Sequence, residues 1–416
     1  MTEYVERALA ASFREDWGRI VAGLIGMTGN WDLAEECAQE AYAQALTAWR
    51  RDGVPERPRA WLITTARNRA IDRIRRQRVG AAKLREVGAA DPDPGYGPQV
   101  DLDAVESGIA DDRLRLIFTC CHPALAFEAQ VTLALRTLCG LDVAEIARAF
   151  QVTEPAMAKR LVRTRQKIAV AGIPYRVPPA HLLSERTTAV LGVIYLLFNE
   201  GYAATTGDAL VRHNLCDQAV QLAGMVAELM PDHPEAVGLH ALLLLQHARA
   251  TARADSHGAL VPLEEQDRSR WDRAMIEAGL AAVGQALRRE RVGPYQLQAL
   301  IAACHATAPS PADTDWERIV TLYDQLAAVV PSWTVRLNRA IAVAMRSGPE
   351  AGLTLLDDLP SSTGGHLLPA ARADLLRRLG RHAEAAEHYV LALAGTDNES
   401  ERAYLRRRLA ECGRTT

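Results

Sequence analysis

The chain has 416 residues, of which 49% are hydrophobic and 5% aromatic, and its formal net charge at pH 7 is −3. This length corresponds to two or three domains, and a composition rich in alanine, leucine and arginine favours an all-α fold. The longest apolar run, residues 189–198, is too short to span a bilayer, and the seven cysteines have no disulfide spacing. These features argue against a membrane-spanning or disulfide-rich secreted protein and predict a cytoplasmic one.

The first predicted module consists of a helix over residues 30–49 and an arginine-rich helix over residues 57–78. The second segment carries eight arginines and one acidic residue, Asp72, and it includes Trp61. Arginine contacts phosphates, and an aromatic ring beside it can stack on an unpaired base. The segment therefore indicates nucleic-acid binding, with a basic solvated helix that buries Trp61 as the alternative. We expect Asp72 to be structural, tying a neighbouring arginine or backbone N–H.

An acidic segment follows this module. Residues 86–112 contain eight acidic residues and no lysine or arginine, and they include the sequence DPDPGYGP at 91–98. Such a segment cannot bury enough apolar surface to fold, so we expect a flexible tether between two basic modules. Two nucleic-acid-binding surfaces on one tether imply bipartite recognition.

The second predicted module contains a helix-turn-helix over residues 141–161, LDVAEIARAFQVTEPAMAKRL. Ala147 occupies the position where the two helices must approach closely, and Met157 is the apolar plug from the second helix. Gln151 stands where glycine is common, so the turn is expected to differ slightly. The second helix of such a unit lies in the major groove of DNA.

The second helix of this unit is predicted to be amphipathic. Thr153 is a good N-cap residue, and Pro155 fits the first turn. The apolar stripe comprises Met157, Leu161, Thr164 and Ile168. The opposite face forms a basic strip of Lys159, Arg160, Arg163 and Lys167, for which a purely solvated face is the alternative reading.

Residues 174–416 carry 24 basic and 28 acidic residues, which does not suggest another nucleic-acid module. The segment 376–393 fits a tetratricopeptide repeat, with Gly380 ending one helix and Ala385, Tyr389 and Ala392 packing in the next. The segments around Ala219 and Tyr323 match the tetratricopeptide pattern less completely. Residues 240–300 do not follow the repeat period of 33–34 residues. We expect a helical solenoid with a concave binding face.

Other constellations are weaker. The sequence TCCHPAL at 119–125 lacks the paired spacing of a zinc site, so buried cysteines are the preferred reading and no metal or cofactor is expected. No catalytic motif is recognised, and we expect no enzyme. The segment 198–208 offers Asn199, Glu200 and Tyr202 for a pocket, although a packed helix end is the preferred interpretation.

Two of these segments together resemble a known family. AEECAQEAYAQALTAW followed by PRAWLITTARNRAIDRIRR is similar to domain two of extracytoplasmic-function (ECF) sigma factors of bacterial RNA polymerase, and residues 111–172 are similar to their domain four. The remainder resembles a subgroup with a large tetratricopeptide-like C-terminal extension. The resemblance implies four regions: 1–82 as sigma domain 2, 83–110 as the linker, 111–173 as sigma domain 4, and 174–416 as a regulatory helical domain.

The resemblance also implies site residues. Polymerase binding is assigned to Glu36, Gln39 and Glu40. Binding of the minus-ten promoter element is assigned to Arg57, Arg59, Trp61, Arg67, Asn68, Arg75 and Arg76. Binding of the minus-thirty-five element is assigned to Thr153, Met157, Lys159, Arg160, Arg163 and Lys167.

The resemblance therefore implies a sigma factor whose partners are core RNA polymerase and promoter DNA, and we expect the extension to regulate it in cis. We also expect direct contact between residues 174–210 and the domain-four region. The solenoid is expected to bind a protein or a small molecule. The alternative is a stand-alone helix-turn-helix regulator whose solenoid senses a ligand or partner; it would not need the docking helix at 30–49.

Overall fold

The computed structural model describes residues 2–86, 109–150, 152–202, 211, 213–256, 258–288, 292–360 and 365–414. Gln151 and most of the predicted acidic linker lie outside these residues. Across the described ranges the regular structure is helical, apart from one isolated antiparallel bridge between Ala254 and Leu260. The all-α prediction is confirmed. No helix in this described part has both the length and the apolar character needed to cross a membrane.

The chain divides into two compact units, Met1–Val193 and Ile194–Thr416. The helices of the first unit are α1 (Thr2–Thr28), α2 (Trp31–Asp52), α3 (Pro58–Glu86), α4 (Ile109–Cys120), α5 (Phe127–Thr137), α6 (Val143–Ala149) and α7 (Glu154–Val170). Helix α8 (Ala180–Tyr202) begins in the first unit and ends in the second. The predicted division into four regions remains a prediction.

Helices α1, α2 and α3 pack around large buried side chains. Trp17 and Ile25 of α1 and Trp49 of α2 are each at most 2% exposed. The start of α2 is fixed by Asn30, whose side chain accepts a hydrogen bond from the backbone N–H of Leu33 at 3.0 Å. This packing holds α2 and α3 side by side, so their outer faces lie next to each other.

The predicted second module packs against the first within the same unit. Helix α4 lies against α1, and a Cβ added to Gly18 of α1 would overlap the backbone carbonyl oxygen of Leu138. Gly140 has φ of +71°, and a Cβ added there would lie 2.8 Å from a ring atom of Trp17 and 3.0 Å from a ring atom of Phe13. Glycine is needed at Gly18 because the two backbones approach so closely there.

Helix α7 follows the predicted pattern, because Met157, Leu161, Thr164 and Ile168 are all buried. The preceding helix, α6, begins with a capping box between Asp142 and Glu145. Thr153 does precede α7, but its side chain makes no capping hydrogen bond. The end of α7 leads to Tyr175, whose hydroxyl donates to the carbonyl oxygens of Ala22 at 2.8 Å and Asp112 at 3.2 Å.

The expected direct contact between residues 174–210 and the domain-four region is seen at the first two residues of that segment: Tyr175 bonds to Asp112, and Thr119 donates to the carbonyl oxygen of Pro174. Both contacts lie within the first unit. The apolar, proline-containing segment after α7 is therefore packed in place.

The second unit continues as helices that pack on their neighbours in chain order. They are α9 (His213–Leu229), α10 (Pro234–His247), α11 (Arg273–Ala286), α12 (Pro294–Thr307), α13 (Trp316–Val329), α14 (Trp333–Ser347), α15 (Pro349–Asp357), α16 (Leu367–Arg378), α17 (His382–Ala394) and α18 (Glu399–Arg414). This is a helical solenoid, as predicted.

The predicted repeat at 376–393 corresponds to the end of α16 and most of α17. Gly380 has φ of +77° and lies between these helices, and the three predicted packing residues, Ala385, Tyr389 and Ala392, are at most 1% exposed. The period fails elsewhere because 248–272, between α10 and α11, contains short 3₁₀ turns and the Ala254–Leu260 bridge instead of a helix pair.

The end of α8 is packed within the second unit. Tyr202 stacks on Phe198 with ring centroids 5.2 Å apart, and the guanidinium of Arg253 lies 3.6 Å from the Tyr202 ring centroid. Tyr202 is therefore engaged by neighbouring side chains, which fits the packed helix end better than a pocket. Residues 203–210 lie outside the described part of the chain.

Candidate nucleic-acid interface

The outer face of α2 is acidic and accessible. Glu36 and Gln39 are exposed and Glu40 is partly exposed, whereas Ala34, Cys37 and Ala38 on the inner side are buried. The three predicted docking residues thus share one accessible helix face. We use the term acidic face for Glu36, Gln39 and Glu40.

Arg73 of α3 pairs with this acidic face. Its Nη1 lies 2.7 Å from Glu36 Oε2, and its Nη2 donates to Glu40. The hydrogen bond to Glu40 raises the pKa of Arg73. All three side chains are at least 37% exposed, so water screens these pairs and a basic partner can replace Arg73.

The arginine-rich helix α3 presents several free polar side chains. Asn68, Arg75 and Arg76 are exposed and Arg67 is partly exposed, and none of them pairs with another side chain in the described part of the chain. Trp61 is partly buried, with its ring centroid 5.7 Å from that of Trp49 in an edge-to-face arrangement. Trp61 therefore contributes to the core while part of its ring stays accessible.

Asp72 is exposed and pairs with no described residue, so the expected structural tie is wrong. Arg59 donates to the buried carboxylate of Asp16, which also accepts from Ser12 at 2.9 Å. Arg59 is thus engaged with α1, although its side chain remains 47% exposed.

An open cleft of about 800 Å³ lies beside the start of α3. It is bounded by α1, the loop before α3 and the first turn of α3, including Tyr4, Glu15, Pro55 and Arg57. Two of the residues predicted to bind the minus-ten element, Arg57 and Arg59, therefore border a concavity large enough for a base.

On α7 the basic strip is less uniform than predicted. Lys159, Arg163 and Lys167 are exposed and pair with no residue of the described ranges. Arg160 is partly buried instead: its Nη1 lies 3.1 Å from Glu128 Oε2, and its guanidinium lies over the Phe150 ring at 5.8 Å. The free part of the strip therefore consists of Lys159, Arg163 and Lys167.

Met157 is fully buried, so it cannot offer a side chain to DNA from this position. Its physical role is to anchor α7 through the core. Thr153 is exposed at the start of α7 and remains available to a ligand.

Sequence reasoning missed a charge cluster, which we call the clasp: Asp32, Glu35, Arg136 and Arg165. Glu35 and the two arginines are shielded from water, whereas the Asp32 side chain is 73% exposed. Glu35 of α2 accepts from Arg136 of α5 and from Arg165 of α7, and Arg165 also pairs with Asp32. A signal was present, because Glu35 falls on the α2 stripe that includes Ala38 and Trp49. A carboxylate in an apolar stripe requires a charged partner from another element.

The seven cysteines are all buried and none forms a disulfide. Burial raises the pKa of Cys121 and of Cys139 to about 12, so both remain thiols at neutral pH. Within the described residues, no group of three or more His, Cys, Asp or Glu side chains is arranged to hold a metal ion.

Comparison with known proteins gives two family matches. Residues 15–79 match the model described as Sigma-70 region 2, and residues 186–287 match a family of unknown function, DUF6596. An uncharacterized protein of Rhizobium meliloti is 45% identical over 410 residues, covering 98% of this chain and 96% of that protein. The ECF RNA polymerase sigma factor SigK of Mycobacterium tuberculosis strain H37Rv is 31% identical over 148 residues, covering 34% of this chain and 74% of SigK.

The chain belongs to the ECF RNA polymerase sigma factor family. In this sigma factor, the region 2 match includes most of the residues that line the cleft, the acidic face, and the α3 arginines from Arg59 to Arg78. The DUF6596 match begins in α8 and extends through α11 of the solenoid. A solved tetratricopeptide repeat protein from Parabacteroides merdae covers 69% of the sigma factor and 93% of its own chain, at a TM-score of 0.35 and 12% identity.

Proposed function

We propose that this protein binds bacterial core RNA polymerase through the acidic face of α2 and directs promoter-specific transcription initiation. The observation that carries the proposal is the region 2 match over a segment whose two helices present an accessible acidic face beside free arginines. The proposal further places it in a subgroup whose C-terminal helical extension regulates the sigma module in cis.

Polymerase docking is supported by the exchangeable ion pairs of the acidic face. Glu36 and Glu40 are paired only with exposed arginines of α3 in the described structure. A basic surface on the polymerase would take over these carboxylates with little desolvation cost, and complementary charge would also speed association.

Recognition of the minus-ten element is proposed for the start of α3 and its outer face. Arg57 and Arg59 border the cleft, while Arg67, Asn68, Arg75 and Arg76 lie farther along α3. Arginines supply phosphate contacts, and the accessible edge of Trp61 supplies a surface on which an unpaired base can stack.

Recognition of the minus-thirty-five element is proposed for α7. Arg163 can bind a guanine edge through two hydrogen bonds, whereas Lys159 and Lys167 suit phosphate contacts. Arg160, which packs against Glu128 and Phe150, is assigned a supporting position at the edge of the strip. Thr153 at the start of α7 suits a phosphate contact through its hydroxyl group.

The decisive experiment combines co-elution with core polymerase and in vitro transcription, using the full chain. The double variant Glu36→Lys/Glu40→Lys reverses the charge of the acidic face, so we expect it to abolish co-elution with core polymerase. The matched control is Glu350→Lys/Glu387→Lys, which makes the same charge change at exposed positions of α15 and α17. Circular dichroism verifies that both variants fold.

If the α2 variant still co-elutes with core polymerase, the acidic face is not the surface that binds the polymerase. Failure of the wild-type chain to support transcription from any promoter of a genomic fragment library, despite polymerase binding, would remove the initiation assignment.

A further inference from the structure

A cavity in the second unit takes no part in the contacts proposed for polymerase and DNA. Its volume is about 260 Å³. The residues that line it come from the 3₁₀ turns Leu263–Glu265 and Arg268–Arg270, the end of α12, and helices α13, α14, α16 and α18. The irregular segment 248–272, which interrupts the helix repeat, therefore helps to form it. Sites for drug-sized ligands measure roughly 300–1,000 Å³, so this cavity suits a smaller molecule.

The lining of the cavity is largely aromatic and aliphatic. Trp316 and Tyr323 of α13 supply rings, and Ile341 and Met345 of α14 supply aliphatic groups. The ring of His305 also lines the cavity, with its centroid 5.3 Å from that of Trp316 in an edge-to-face arrangement. Such a lining suits a flat, apolar ligand body.

Arg268 contributes a positive charge to this lining. Its Nη1 donates to the carbonyl oxygens of His305 and Ala308, each at 2.7 Å, and its guanidinium lies 4.6 Å from the ring centroid of Trp271. These partners are uncharged, and the Nε of Arg268 is buried without a hydrogen-bond partner. No ion pair joins Arg268 to a carboxylate within the described ranges. The guanidinium is therefore held in place without being neutralised.

The surroundings of Arg268 are short of negative charge. Burial and the positive charges of Arg249 and Arg268 lower the pKa of His305 to about 4, so His305 is neutral at pH 7. The carboxylate of Asp313 acts favourably on Arg268, but it is exposed and already accepts two hydrogen bonds from Ser310. An anionic group bound at Arg268 would supply the missing charge.

The two carboxylates that line the cavity are balanced by other arginines. Arg378 Nη2 lies 2.7 Å from Glu264 Oε1, and Arg378 Nε lies 2.7 Å from Asp374 Oδ2. Arg377 also donates to Asp374, at 2.6 Å. Because these four charges cancel, Arg268 is the unbalanced charge among the described lining residues.

We propose that this cavity binds a small aromatic monocarboxylate, with its ring against Trp316 and Tyr323 and its carboxylate at Arg268. A planar guanidinium matches the geometry of a carboxylate, and hydrogen bonds between the two are charge-assisted. One unbalanced positive charge fits one carboxylate better than a phosphate group, which carries up to two negative charges at neutral pH. Binding at this site does not depend on the proposed sigma function.

Isothermal titration calorimetry of the full chain tests the proposal with benzoate, 3-phenylpropionate and indole-3-acetate. Each carboxylate is compared with its amide, which keeps the ring and removes the charge. Arg268→Gln removes the guanidinium, and Asn338→Trp fills the cavity from an exposed position of α14.

Each variant has a matched control that lies outside the lining. Arg270→Gln removes an arginine bond to the carbonyl oxygen of Thr251 from the same 3₁₀ turn as Arg268. Thr334→Trp adds the same large ring at an exposed position of α14, one helical turn before Asn338. Circular dichroism verifies that all four variants fold.

We expect at least one carboxylate to bind the wild type, and its amide to bind at least about tenfold more weakly, because the amide lacks the charge-assisted hydrogen bond. Arg268→Gln should weaken carboxylate binding about tenfold and remove the preference over the amide. A purely structural role of Arg268 would weaken both ligands equally. Asn338→Trp should abolish binding, whereas both controls should bind as the wild type does.

Absence of binding by all three carboxylates at millimolar concentration would overturn the proposal. Equal affinity for carboxylate and amide would exclude recognition by Arg268, and undiminished binding by Asn338→Trp would exclude this cavity; either result overturns it as well. If Arg268→Gln does not fold, the amides and Asn338→Trp still decide. Because the titrations contain neither polymerase nor DNA, failure of the proposed sigma function would leave their outcome unchanged.

Discussion

At the scale of single residues, α7 separates what a sequence pattern can predict from what it cannot. The stripe from Met157 to Ile168 was predicted from helical spacing and is buried throughout. Arg165 reads as one more base of a basic helix, yet it turns toward Glu35 and Asp32 of α2. Helical periodicity gives the direction of a side chain around its own helix, but the identity of the facing element depends on tertiary structure.

The difference between Arg160 and Arg163 leads to a prediction. Arg163→Ala should lower promoter-directed transcription about tenfold, because a base-reading arginine contributes roughly 1–3 kcal/mol of discrimination. Its thermal stability should match the wild type, because the side chain is exposed and unpaired within the described structure. Quantitative in vitro transcription and a melting curve provide the two measurements.

Arg160→Ala serves as the comparison, since it also removes contacts with Glu128 and Phe150 and should lower stability measurably. Undiminished transcription by Arg163→Ala would mean that the basic strip is only a solvated face.

At the scale of helices, the sequence predicts a helix boundary correctly where a capping residue or a glycine marks that boundary. Gly380 was predicted to end a helix and lies between α16 and α17. The segment 248–272 was not anticipated as an irregular region, because its order comes from distant partners. The guanidinium of Arg268, for example, donates to the carbonyl oxygens of His305 and Ala308, each at 2.7 Å.

Gly380 offers a test of helix termination in the solenoid. The N–H of Gly380 donates to Arg377, and the N–H of Arg381 donates to Leu376 at 3.0 Å, in a turn that requires positive φ. We expect Gly380→Ala to lower the free energy of unfolding of the second unit by about 1 kcal/mol, because alanine is strained there. Urea denaturation followed by circular dichroism measures this change.

Gly284→Ala in α11 is the matched control, because a Cβ there meets no atom within 4 Å and φ is not positive. Alanine should raise helix stability at that position by up to about 1 kcal/mol. Equal effects of the two substitutions would show that the Gly380 turn does not depend on glycine.

At the scale of the whole molecule, the sequence predicted the helical fold and the two functional segments but not how the modules pair. An acidic connection between basic modules suggested independent surfaces, whereas α1–α7 form one compact unit. Complementary backbone surfaces such as Gly18 against Leu138 leave no periodic signal in the sequence. The second unit begins at Ile194, within α8, so a fragment of residues 1–193 contains the whole first unit together with the first part of α8.

The regulatory role of the extension can therefore be tested with residues 1–193. This fragment keeps Tyr175 and its hydrogen bonds to Ala22 and Asp112. We expect it to bind core polymerase but to differ from the full chain by at least severalfold in promoter-directed transcription. The fragment must first show cooperative unfolding and native helical content. Equal activity of fragment and full chain, in vitro and in cells, would exclude regulation by the extension.

The burial of Glu35 has a consequence for the response of this protein to ionic strength. Dissolved salt screens exposed charges strongly and shielded ones weakly. Phosphate contacts made by Arg163, Lys159 and Lys167 would lose affinity as salt rises, through the reduced gain from counterion release. The bonds around Glu35, which is 7% exposed, would weaken far less. A rise in salt would therefore weaken the DNA contacts proposed for α7 much more than the bonds that join Glu35 of α2 to α5 and α7.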